Sequence, residues 1–487
     1  MKYQHDPDGT RLPVKLDSTS NGEFEPVALA PVHHAARHEA LAAVDRNSRC
    51  LAMGRREFLV SACGTAATLL AMNDAYARAG SRGGFFELPR ESGLDLHAAR
   101  SALDKSEMIF DVQGHFVNPT GAWTKALPET ARPLRMPKTQ SCGPAKGPGQ
   151  LDYLQCIGPD EFVKDVFMDS DTDLMVLSFV PSTRESEPLT IEEAFVTARI
   201  VEKLEGTHRL LIHGRVNPNQ KGDLEGMDEL AARYPVAAWK TYTQWGPDGK
   251  GFWLDDDVGI AFIEKARKLG VRNIAIHKGL AFGPRSYEHS TCADVGRVAK
   301  RFPDVKFLIY HSGFAQDKPE GPYDAKRTDG IDSLVTSLTQ NGVKPGSNVY
   351  AELGSTWRFL MRDPDSAAHA LGKLFNACGQ DNVLWGTDSI WYGSPQDQIA
   401  AFRTFQIAPE LREKHGYPQI TPALRAKVFG QNALKVYSIP ADVVKKHLAD
   451  RVSTDRVAYR EERADPRFVT YGPRTRREFL NLKAWGG

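Results

Sequence analysis

From about residue 107 to residue 438, short apolar runs rich in β-branched residues alternate with amphipathic stretches. This alternation constrains the fold more than any other feature of the chain, because it is the pattern of a parallel sheet wrapped by helices. The strand candidates are 108–117, 173–180, 209–215, 236–242, 272–278, 305–311, 348–353 and 383–388, with helix candidates at 191–205, 223–233, 257–269, 292–302, 330–341, 365–377 and 395–406. Thr190 with Glu193 reads as a capping box, and Asp363-Pro364 as an N-cap followed by an N1 proline. Eight strands alternating with helices predict an α/β fold of the (β/α)₈ TIM-barrel type over residues 107–440 rather than an open sheet.

Three segments stand outside that pattern. The interval 118–172 is rich in Pro and Gly and follows the first strand, which predicts a long loop on the catalytic face, acting as a lid or specificity loop. Residues 441–487, dense in Arg, Asp and Glu, are expected to wrap the outside as a C-terminal extension. Residues 1–52 are polar, show no sustained period and read as disordered or as misassigned upstream sequence, with Met53 as the alternative start.

At residue 53 the character changes. Gly54-Arg55-Arg56-Glu57-Phe58-Leu59 opens a stretch without charge from Phe58 to Asn73, closed by the small-x-small site Ala75-Tyr76-Ala77. Residues 53–77 therefore look like a twin-arginine signal peptide, which makes the export machinery an expected partner and the periplasm the expected location. Arg476-Arg477-Glu478-Phe479-Leu480 repeats the pentapeptide with no apolar run behind it, so the run carries the signal. The alternative is that residues 58–72 form a buried core helix. Val60-Ser61-Ala62-Cys63 resembles a lipoprotein box, but most of the apolar stretch follows the cysteine instead of preceding it.

Apart from this segment no apolar run approaches the roughly 20 residues needed to span a bilayer, so no stable membrane insertion is expected. A net charge of +1 points to no nucleic-acid partner. None of the six cysteines forms a CxxC pair, which argues against a structural zinc knuckle. In an oxidising compartment Cys142 and Cys156, both in the Gly/Pro-rich interval, are the favoured disulfide, with free packed thiols as the alternative.

The chemistry lies at strand ends. The first strand ends in Gln113-Gly114-His115, the fifth in Ile276-His277-Lys278, the sixth in Tyr310-His311-Ser312-Gly313 and the eighth in Trp385-Gly386-Thr387-Asp388. Each apolar strand delivers a metal-capable or titratable side chain to the end where barrel catalysis occurs. A divalent ion such as Zn²⁺ needs a few N or O donors and an open position to bring bound water to a pKa of about 7. Gln113 and His115, two apart on a strand, point to one face. Asp388 suits either a ligand or a proton acceptor, and His311 suits a general acid or base.

These motifs, with the closing Gly430-Gln431-Asn432-Ala433, resemble the amidohydrolase-related family. That branch of the amidohydrolase superfamily includes aminocarboxymuconate semialdehyde decarboxylase and related aromatic-acid decarboxylases. The resemblance covers about residues 107–438. It implies a distorted barrel with one divalent metal, Zn²⁺ first and Mn²⁺ second, ligated by His115, His277 and Asp388, with His311 as catalytic base and homodimers common. The family pattern at the first strand is His-x-His or, in some decarboxylases, Glu-x-His. Here Gln113 offers the ion only a neutral carbonyl oxygen.

Lys240, ending the fourth strand, is a candidate to hold a substrate carboxylate, and His213 on the third strand a candidate substrate contact; a solvated lysine and a satisfied core histidine are the alternatives. Lys278 faces away from His277 on an alternating strand and reads as structural, while Glu352 on the seventh strand is open to either role. The function expected is metal-dependent hydrolysis of a small organic acid, ester, lactone or amide. Non-oxidative decarboxylation of an aromatic or unsaturated acid is the runner-up, and a metal-free periplasmic binding protein is the second alternative.

Overall fold

The computed structural model describes residues 3–104, 107–126, 142, 153–205, 208–282, 286–449, 451–462 and 464–483. Eight parallel strands form one sheet in sequential order: β2 (Phe110–Gly114), β3 (Leu174–Leu177), β4 (Leu210–Arg215), β5 (Val236–Tyr242), β6 (Asn273–His277), β7 (Lys306–Tyr310), β8 (Val349–Glu352) and β9 (Val383–Leu384). All eight predicted strands are present. The sheet closes irregularly, because β9 is only two residues long and meets β2 through single bonds rather than a ladder. Val112 N donates to Trp385 O (3.0 Å), Asp388 N donates to Gln113 O (3.0 Å), and Gly114 bridges Ser389. The result is a distorted (β/α)₈ barrel.

Local signals hold where they were read. Thr190 Oγ1 accepts from Glu193 N (3.2 Å), while the Glu193 carboxylate accepts from Thr190 N (2.9 Å), so the helix Ile191–Glu205 starts with its first orphan donors satisfied. Asp363 caps Pro364–Ala377 through Ser366 N. Cys142 and Cys156 form a disulfide with Cα atoms 5.4 Å apart. Within the interval predicted as a lid, 118–172, residues 127–141 and 143–152 lie outside the described residues.

The N-terminal quarter departs from expectation. Residues 3–52 are folded onto the barrel rather than disordered: Val14 and Phe24 are fully buried, Lys15 pairs with Asp397 in the interior (2.9 Å), and Pro31–Cys50 form α1. The stretch read as a signal peptide forms α2 (Arg55–Val60) and α3 (Ala62–Arg78), which is the buried-helix alternative. Phe58, Leu59, Leu69 and Met72 are completely covered, and burying a side chain of this size contributes about 1.5–3 kcal/mol. The twin arginines are structural here: Arg55 donates to Gly9 O, and Arg56, buried, pairs with Asp6 (3.5 Å) and Asp465 (3.1 Å). A short strand, β1 (Gly84–Phe86), pairs antiparallel with β10 (Phe405–Ile407) and fastens this region to the segment after β9. Among the described residues no helix is long and apolar enough to cross a membrane.

Described residues of the C-terminal segment lie against the barrel. Arg456 and Arg460 grip the loop before β3 at Asp173 (2.9 Å) and Asp171 (2.6 Å). Further on, the tail clasps the N-terminal segment: Ser20 N donates to Pro473 O (2.9 Å) and the hydroxyls of Thr19 and Thr470 lie 2.7 Å apart.

Candidate metal centre and active site

Four strands deliver the cluster. Gln113 lies in β2 and His115 just beyond it, His277 ends β6, His311 follows β7, and Asp388 follows β9. All five are buried at the C-terminal ends of the strands. Asp388 Oδ1 lies 3.1 Å from His115 Nε2 and accepts from Gln113 Nε2 at 3.0 Å. Gln113 Nε2 is also 3.4 Å from His115 Nε2 and 3.5 Å from His311 Nε2, and His311 Nε2 is 3.2 Å from His277 Nδ1.

The backbone is strained at this site. His311 (φ 64°), Ser312 (53°), Ser355 (52°) and Asp388 (60°) all adopt left-handed φ without being glycine. Such conformations cost of order 1–3 kcal/mol each and persist only where the surroundings impose them. Glu352 is the main restraint: it accepts from His311 N (3.0 Å) and Gly354 N (2.6 Å), which assigns this strand carboxyl to positioning. Asp111 does the same across the seam, accepting from Gln113 N (3.0 Å) and Thr387 N (3.1 Å). Gly354 is required by proximity, since a Cβ there would stand 2.3 Å from Gln113 Oε1.

Burial sets the protonation states. It pushes the His311 imidazole down to about 4, a direction that Lys240 reinforces and Asp388 opposes. His277 is driven well below its usual range by burial, then by His311 and Lys240. Burial alone would raise Asp388, but His115, His311 and the Ser355 hydroxyl together hold the carboxyl well below the usual carboxylate range. Burial raises Asp111 to about 7, and it raises Glu352 as well. The His277 and His311 imidazoles are therefore neutral beside an ionised Asp388.

This arrangement fits a divalent cation. His115 Nε2, His277 Nδ1, His311 Nε2 and Asp388 Oδ1 converge with few hydrogens to satisfy them, and Gln113 Oε1 is buried with no hydrogen-bond partner among the described residues. A half-turn of the Gln113 amide exchanges its NH₂ for its oxygen, which turns a donor toward an ion. The carboxylate of Glu23, on the N-terminal segment, joins the cluster: its oxygen and the ring nitrogens of His277 and His311 lie within 4.8 Å of one another. Asn21 Nδ2 donates to Asp388 Oδ2 (2.7 Å), and Ser355 Oγ reaches the same oxygen while lying 2.7 Å from Tyr392 OH.

Asn21, Glu23, Ser355 and Tyr392 escaped the sequence reading. The only local hint of the first two is the Asn21-Gly22 turn signal, in a segment with no periodicity to suggest that it folds. Lys240 is buried beside the cluster with its ammonium unpartnered, 3.9 Å from the Tyr310 ring centre and 4.7 Å from that of Tyr242. His213 is a correction to the expected substrate contact. Its Nδ1 meets Ser178 Oγ (3.1 Å) and its Nε2 the hydroxyls of Tyr437 (3.4 Å) and Tyr310 (3.5 Å), so it is a satisfied core histidine. Lys278 is buried against Asp294 (2.9 Å) and is structural.

Residues 208–439, from the approach to β4 to the end of the barrel, match the amidohydrolase family. Among solved structures, 5-carboxyvanillate decarboxylase LigW from Sphingomonas paucimobilis is similar at 14% identity and TM-score 0.42, over 69% of this chain and 100% of that one. The 2,6-dihydroxybenzoate decarboxylase from Rhizobium is similar at 15% identity and TM-score 0.41, over 69% of this chain and 99% of that one. A zinc-bound amidohydrolase from Burkholderia multivorans is similar at 15% and 0.42, over 68% and 100%. A search of curated protein sequences returns no match. The eight-stranded barrel with its donors converging at the C-terminal end is thus similar to the amidohydrolase family over residues 208–439, across β4–β9.

Proposed function

We propose that this protein is a metal-dependent hydrolase of a small organic ester, lactone or amide that carries an anionic group. The observation that carries the proposal is the bond from His311 Nδ1 to Gly354 O, at 2.6 Å. A carbonyl oxygen only accepts, so Nδ1 holds the proton and Nε2 keeps its lone pair, aimed into the cluster. A base fixed in this tautomer is suited to take a proton from water beside the scissile bond. His115, His277 and Asp388 would hold the ion, with Gln113 at its edge. When bound, Zn²⁺ or Mn²⁺ supplies Lewis acidity and lowers the pKa of water.

The chain's own residues do the rest. Asp388, ionised and held by His115, Gln113, Asn21 and Ser355, keeps negative charge beside His311 and favours its transient protonation. Lys240 offers a buried cation to a substrate carboxylate, since nothing among the described residues hydrogen-bonds its ammonium. Tyr242, stacked on His277 with ring centres 4.9 Å apart, and Phe282, at 5.1 Å, give the site an aromatic wall that excludes water.

That wall, together with Lys240, also favours a second reading, decarboxylation of an aromatic or unsaturated acid. Screening esters, lactones, amides and aromatic acids in ¹⁸O-labelled water separates the two. Label in the product acid supports hydrolysis, and release of CO₂ with an organic product that carries no label supports decarboxylation. His311→Asn should lower turnover by about 10²–10⁴ with metal content intact, and Asp388→Ala should strip the metal. Full activity in the His311 variant would refute the base assignment. Export by the twin-arginine route, read from the sequence alone, is the alternative to the packed disposition of residues 53–77, and its test is whether residues 53–80 deliver a folded reporter to the periplasm.

A further inference from the structure

We infer that Glu23 is a donor of the metal centre, brought across the barrel mouth by the N-terminal segment, and that it supplies the negative charge Gln113 lacks; this rests on the metal-dependent reading above. The spacing is that of ligands. Donor atoms about 2.1 Å from one ion stand about 3.4 Å apart in a tetrahedron. Glu23 Oε1 lies 3.7 Å from His277 Nδ1, and the ligand pair His115 Nε2 and Asp388 Oδ1 stands 3.1 Å apart.

Glu23 is built in rather than draped over the site. Asn21 Oδ1 accepts from Glu23 N (2.9 Å), Ser20 Oγ accepts from Gly22 N (2.9 Å) and donates to Phe24 O (2.6 Å), and Phe24 is buried on Phe359 with ring centres 5.3 Å apart. Upstream, Asp17 binds Arg358 (3.0 Å) and Lys15 binds Asp397. The Asn21 amide nitrogen serves both carboxylates, donating to Glu23 Oε2 (2.6 Å) and Asp388 Oδ2 (2.7 Å). Each acid thus has one oxygen tied back by Asn21 and the other presented inward, Oε1 toward His277 and Oδ1 toward His115. Outer hydrogen bonds of this kind orient ligands in metal sites.

Charge accounts for the residue type. With neutral imidazoles and the neutral Gln113, Asp388 alone would leave a divalent ion with one uncompensated charge. Glu23 brings the donor set to two negative charges, matching the ion. It also follows that the N-terminal 77 residues stay with the barrel in the working protein, since cleavage after Ala77 would remove both Glu23 and Asn21.

The test uses the full-length chain, stripped of metal and titrated with Zn²⁺ and with Mn²⁺ against a chelator, with circular dichroism as the control for folding. Wild type should bind about one equivalent, Glu23→Gln should bind at least tenfold more weakly, and Glu23→Asp should fall between. Gln113→Glu introduced into the Glu23→Gln chain should recover most of the loss, an outcome a merely structural role for Glu23 would not produce. Wild-type affinity in Glu23→Gln, with or without faster turnover, overturns the inference and leaves the metal-dependent reading standing. No binding by wild type overturns both.

Discussion

Gln113 and Asp388 are joined twice across the seam of the barrel, once by backbone, Asp388 N to Gln113 O, and once by side chain, Gln113 Nε2 to Asp388 Oδ1, both at 3.0 Å. The same glutamine closes the sheet and touches the donors at its mouth. Replacing it therefore tests metal affinity separately from barrel closure, because the backbone bond survives the change. Gln113→His should tighten metal retention about tenfold, in line with what outer and inner donors contribute to such sites, with a smaller effect on turnover. Chelator competition measures the first and steady-state kinetics the second, and equal retention in both proteins would mean that position 113 does not meet the ion.

Lys240→Met should raise KM for carboxylate substrates and lower kcat/KM by about 10–100-fold, the value of one lost charged hydrogen bond. Uncharged esters of the same size should be processed nearly as before. Equal losses on both substrate types would place Lys240 in the scaffold.

The pH dependence of stability follows from His311. Its folded pKa, about 4, is depressed below the unfolded value near 6.5, so the unfolded chain takes up a proton first as the pH falls. The metal-free protein should therefore lose stability between about pH 6.5 and 4 by roughly 3 kcal/mol from this group. Urea midpoints of wild type and His311→Asn across that window provide the measurement. The wild-type slope should be the steeper, and parallel curves would remove His311 as the cause.

Removing Arg56 should be costly. Arg56→Ala leaves Asp6 and Asp465 without their buried partner, and breaking such a pair from one side costs about 3–5 kcal/mol. Arg477→Ala, in the repeated pentapeptide near the C-terminus, serves as the control. Intact mass of the purified soluble protein is the companion measurement, and the packing of Phe58, Leu59 and Met72 predicts that residues 53–77 are retained. A mature chain beginning at Arg78 would show that the packed helices are not part of the working enzyme.

The barrel was legible because its signals are local. A run such as Phe307-Leu308-Ile309-Tyr310 declares a buried strand without reference to the rest of the chain, and the histidine that follows is then placed at a known end. The N-terminal segment was illegible for the converse reason. Its order comes from contacts such as Lys15 with Asp397 and Asn21 with Asp388, 382 and 367 residues apart, which no periodicity announces. The uncharged run at 58–73 fits an export signal and a packed helix equally well by composition, and only its neighbours α1 and Phe86 decide between them. His213 failed for a third reason: its hydroxyl partners Ser178, Tyr310 and Tyr437 lie on three other parts of the chain.

The clasp between Thr19 and Thr470 joins residues 451 apart in the chain. Closing a loop tenfold longer than another costs about 2 kcal/mol more in chain entropy, and this one cannot close until nearly the whole polypeptide has left the ribosome. Barrel strands can pair with their predecessors as they emerge, and the clasp adds its hold on Thr19 and Ser20, next to Asn21 and Glu23, only when the tail arrives. The order of synthesis thus places the clasp after the barrel, so that a chain cut short before Thr470 would fold its strands without this fastening of the N-terminal segment.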